Sequence, residues 1–126
     1  MARILGLLLA LFLAGNGLVM LAFPASRYEA VPGVTGTGPF NRHFVNDIGA
    51  AFLVAGLGTG WAAWRPEGWP ALVAGTGFVA LHALIHLAEA VGGHGMHALQ
   101  RDLIGVFVPA IVGLLLVVLL KPVKGA

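Results

Sequence analysis

At 126 residues, with 59% hydrophobic and 10% charged residues and a mean hydropathy of +0.94, the chain cannot cover a soluble globule with polar surface, because soluble domains carry about 25% charged residues. The pI of about 9.7 reflects a net charge of only +2, which does not imply a nucleic-acid partner. Cysteine is absent, which removes disulfides, thiolate metal centres and thiol nucleophiles.

The first apolar stretch, about 3–23, follows Arg3 and runs on to Phe23. It is longer than a secretory signal core and no small-x-small cleavage site follows, so a retained helix is expected. Within it Asn16, between Gly15 and Gly17, is an amide that needs a partner. A turn-rich connection, FPASRYEAVPGVTGTGPFN, leads to the second stretch, about 42–63. That stretch opens with His43 and Asp47 one turn apart and Asn46 beside them. Trp61, Trp64 and Trp69 bracket the next connection, WRPEGWP, and mark it as lying at the headgroup level.

The third stretch, about 70–91, carries His82, His86 and Glu89 at i, i+4 and i+7, a spacing that puts all three on one helical stripe. The glycine-rich GGHGMHALQR follows and is read as a solvated connection, with His94 and His97 as minor candidates. The fourth stretch, about 102–120, begins with Asp102, whose simplest role is to complement a helix dipole. Pro109 removes one helical hydrogen bond there and frees the Gly105 carbonyl.

Each stretch is near the roughly 20 residues that cross a bilayer core. The expected fold is all-α: a single integral-membrane domain over 1–126, built as a four-helix bundle. Arg3, Arg65, Lys121 and Lys124 on one side, against Arg27, Arg42 and Arg101 on the other, place both termini in the cytoplasm of a bacterial inner membrane. Arg42 and Arg101 read as interfacial anchors, phospholipid contacts or partners for Glu89 and Asp102. Gly56 and Gly60, with Gly49, Gly75, Gly77, Gly105 and Gly113, let helices approach closely and offer faces for a homo-oligomer.

In this layout the second helix begins, the third ends and the fourth begins at the outer face. Asp47 and His86 then lie roughly 6–8 Å below the helix ends, with His43 and Glu89 near the top. Ionisable groups at that depth are costly and mark a functional site. The expected site is a centre for zinc, iron or copper held by His43, Asp47, His82, His86 and Glu89, since imidazole and carboxylate suit such ions. Glu89 or Asp47 would be the general base toward a lipid-soluble or small substrate. Two alternatives stand beside it. One is a haem b or quinone-linked electron carrier with His43 and His86 as axial ligands. The other is a small transporter or proton relay through His82, His86, Asp47 and Glu89, although the inner helix halves are nearly uniform in Leu, Val, Ala and Gly. No Walker loop, His-Glu-x-x-His or Gly-x-Ser-x-Gly motif is present.

Overall fold

Leucine- and alanine-rich runs form the helices, and proline and glycine set their ends. The structure, a computed structural model, describes residues 1–122, apart from the side chains of 93–96. Lys124, counted in the charge balance above, and the His94 side chain lie outside the described residues. In chain order the elements are α1 (Ala2–Ala22), α2 (Pro24–Ala30), a 3₁₀ turn at Val34–Gly36, α3 (Arg42–Trp64), a 3₁₀ turn at Pro66–Gly68 and α4 (Trp69–Glu89). A wide π-type turn at Ala90–His94 follows, then α5 (Gly95–Asp102), a second π-type turn at Leu103–Phe107, and α6 (Val108–Leu119). Among the described residues every element is helical, so the protein is all-α.

Local chemistry explains the boundaries. Pro24 starts α2, where its fixed φ is already helical and its missing N–H costs nothing. The Asn41 side chain accepts a hydrogen bond from the Phe44 N–H and caps α3.

α1 packs on α3, α3 on α4, α4 on α6, and α6 back on α1. The shared core draws Leu9 and Leu13 from α1, Phe52 and Ala55 from α3, Leu72 and Val79 from α4, and Ala110 and Leu116 from α6. Small residues bring α1 and α3 almost into backbone contact: a Cβ on Gly17 would lie 2.6 Å from the Gly49 carbonyl oxygen. Gly56 faces the Ala14 backbone in the same way. The buried Thr59 hydroxyl donates to the Ala55 carbonyl of its own helix and so is satisfied within the core.

Three helical stretches are long and apolar enough to cross a membrane: Ala2–Ala22, Pro66–Gly92 and His97–Leu119. α3 has 23 residues, but Arg42, His43, Asn46 and Asp47 in its first turns make it less apolar. Ile4, Leu11, Val54, Leu57, Leu81, Ile104 and Val118 all point outward. Such a surface suits contact with hydrocarbon.

Two expectations change. The 92–101 connection is largely helical, with α5 in place of a solvated loop, and the fourth helix, continuous over His97–Leu119, starts earlier and widens into a π-type turn at Leu103–Phe107. Pro109 accounts for the widening: without an N–H, and with its ring against the carbonyl four residues back, it disfavours the regular α-helical ladder. The second π-type turn takes up the misfit, and Pro109 falls in the first turn of α6, where no intrahelical partner is needed.

Candidate functional site

The helical period of α4 stacks His82 and His86 on one face, with ring centroids 4.7 Å apart. His82 is walled on its other sides by Phe52 of α3, edge-on at 5.5 Å, and Phe78, stacked at 6.1 Å. One turn nearer the α4 end, His86 Nδ1 lies 2.8 Å from Asp102 Oδ2. Arg101 grips the same carboxylate, donating from Nε to Oδ1 at 2.7 Å and from Nη2 to Oδ2 at 2.9 Å.

Neighbours on a regular helix point in different directions. At Asp102, however, α5 hands over to the wide turn with φ −90° and ψ −4°, and the long Arg101 side chain bends over to meet it. The Asp102 side chain is 9% exposed, against 23% for His86 and 33% for Arg101. It makes no capping hydrogen bond, so the helix-dipole role expected for it is replaced by this shared one.

The donor set fixes the chemistry. A carboxylate receiving both arms of a guanidinium only accepts, so the hydrogen between it and His86 sits on Nδ1. In its neutral form His86 presents Nε2 as a lone-pair acceptor, held in place from behind by Asp102. Glu89 lies on the same stripe of α4, exposed, within electrostatic reach of Arg101 and His82, and engaged in its own interaction.

A strap, the connection from α2 to α3, meets the cluster at one point. Gly33, in the left-handed region at φ 85°, lies against the Arg101 guanidinium, leaving no room for a Cβ. The strap is folded on itself: Thr37 Oγ1 donates to the Val34 carbonyl at 2.8 Å, Tyr28 donates its hydroxyl hydrogen to the Gly38 carbonyl, and the Tyr28 ring packs on Phe40 at 5.5 Å.

His43 and Asp47 are placed elsewhere. They face each other at 3.5 Å on α3, with side chains 89% and 63% exposed, and do not join His86. The buried stripe of α3, Val45, Gly49, Phe52 and Gly56, sets that rotation by packing on its neighbours. Asn46 has a buried Oδ1 without a hydrogen-bond partner. Among the described residues no three His, Asp or Glu side chains gather as a metal ligand set. His97 is exposed.

The residue underrated in the sequence is Asp102, together with its neighbour Arg101. The available signal was positional: an acid at the start of the last span lies level with His86 at the end of the preceding one. Two apolar grooves, about 220 Å³ between α1 and α6 and about 240 Å³ between α4 and α6, contain none of the cluster residues. The second lies along Ala80, Ala83, Leu84 and Leu87, the face of α4 away from its histidines.

Compared with known proteins, the chain matches no family model, no curated protein and no solved structure.

Proposed function

We propose that this is a four-helix integral membrane protein of a bacterial inner membrane, with α3 as the fourth crossing helix and both termini cytoplasmic. In this reading the His82, His86, Asp102, Arg101 and Glu89 cluster handles protons near the outer face. The observation that carries it is the Asp102-oriented His86 standing edge-on to His82.

A proton taken up on His86 Nε2 makes an imidazolium whose charge faces the Asp102 carboxylate, and rotation of the rings passes it on to His82. Phe52 and Phe78 close the far side of His82, so the relay ends at mid-depth. It therefore serves a small lipid-soluble partner docked within the bilayer, not a through-channel. The test is ¹⁵N NMR of histidine-labelled protein in detergent. Wild type should show His86 as the Nδ1–H tautomer, and Asp102→Asn should shift it toward a tautomer mixture. A His86 signal indifferent to Asp102→Asn would remove the reading.

A second reading is favoured by the same orientation, because a carboxylate behind an imidazole is the usual support of a metal-ligating histidine. His86 Nε2 and His82 would supply two ligands to zinc, iron or copper, the remaining positions being left to water or substrate. Elemental analysis with an absorption spectrum separates the cases. Stoichiometric metal selects this reading, a Soret band selects haem b, and neither leaves the relay.

A further inference from the structure

We propose that Arg27, held on Asn16, is the binding site for the phosphate of an anionic membrane phospholipid. The proposal stands apart from the proton-handling cluster and does not depend on it.

Asn16 precedes the α1 end at Ala22 by six residues, about 9 Å along the axis. That puts its amide within the apolar span. Arg27, on the short helix that follows, reaches back to it and donates to Asn16 Oδ1 from both Nε, at 3.0 Å, and Nη2, at 2.7 Å. The amide is steadied from its other end by Nδ2 against the Met20 sulfur at 3.8 Å.

Asn16 therefore aims the guanidinium without neutralising it. A guanidinium carries five N–H donors, and two are spent here on one uncharged oxygen. No carboxylate pairs with Arg27 among the described residues. The half-buried position has a physical consequence: loss of water lowers the Arg27 pKa from its ordinary value, with no anion to offset the loss. Arg101, by contrast, has Asp102, and Arg3, Arg42 and Arg65 are exposed to solvent.

A desolvated cation at the edge of the hydrocarbon layer needs a counter-charge. The abundant anion at that level is the lipid phosphate, whose paired oxygens match the free side of the guanidinium fork. A lipid whose headgroup carries no cation of its own fits best, because nothing in the headgroup then competes for the phosphate.

The experiment is native mass spectrometry of the full chain in detergent, titrated with phosphatidylglycerol. Wild type should bind one lipid tightly, and Arg27→Gln should weaken that binding about tenfold or more. Arg27→Lys, which keeps the charge but loses the fork, and Asn16→Ala, which loses the aim, should each weaken it severalfold, while Arg42→Gln should leave it unchanged. Inorganic phosphate at matching concentration should not displace the lipid. Displacement by it would mean that the ligand is free phosphate and would overturn the assignment, as would lipid binding by Arg27→Gln equal to wild type. If Arg27→Gln does not fold, unchanged binding by both Arg27→Lys and Asn16→Ala overturns it equally.

Discussion

Asp102 answers to two donors at once, and its loss should be felt on both sides. Asp102→Ala leaves a guanidinium and an imidazole without their shared acceptor in a poorly solvated pocket. An expected loss of about 1–3 kcal/mol follows for removing an acceptor shared by charged donors, to be read as a fall in thermal stability in detergent. His43→Ala removes one member of an exposed pair and should change stability by no more than about 0.5 kcal/mol. Equal effects would contradict the separation of the two histidine–aspartate pairs. Gly33→Ala should act on the cluster from outside, because a methyl there meets the Arg101 guanidinium at a φ that disfavours a side chain. The expected readout is a shifted His86 NMR signal without any change at His86 itself. The same residues show what a sequence can hold. His82 and His86 were legible as a pair because one helix carries both and the period fixes their angle. His43 and Asp47 share only a depth with them along the sequence, and depth says nothing about rotation.

Helix rotation is decided by contacts between elements, and in α3 by its small residues. Gly49 and Gly56 turn toward α1, where only hydrogen fits, and that choice leaves His43 and Asp47 exposed on the surface of the bundle. Gly56→Val should push the two helices apart. The opposing atoms are Ala14 backbone, which cannot give way as a side chain would. A loss at the upper end of the about 1–3 kcal/mol usual for overpacking is expected by chemical denaturation. The lengths of α1, α3 and α4 were readable from hydropathy and prolines to within a residue or two. The helix within 92–101 was not, because its glycines and polar residues carry turn signals, while its neighbours in the fold are α4 and the two π-type turns that flank it.

At the scale of the whole molecule, α1, α3, α4 and α6 pack in a closed circuit, with leucine and valine turned outward around it. α3 decides how many times the chain crosses the bilayer. If it crosses, cysteines introduced singly at Thr37 and Glu67, before and after α3, should label from opposite sides of sealed vesicles. Labelling from one side would remove α3 from the crossing set and separate the cluster from the outer face.

Trp69 closes that circuit at the other end, donating its indole N–H to the Val117 carbonyl at 2.8 Å. α6 ends at Leu119, so this carbonyl has no helical partner of its own. Trp61 and Trp64 are exposed, at 53% and 70%. With those two replaced by phenylalanine, the emission of the remaining indole becomes an intrinsic optical gauge of the distance between α4 and α6, since breaking its hydrogen bond changes both its wavelength and its lifetime. The protein thus carries its own reporter for whether events at the histidine end of α4 are felt at its opposite end.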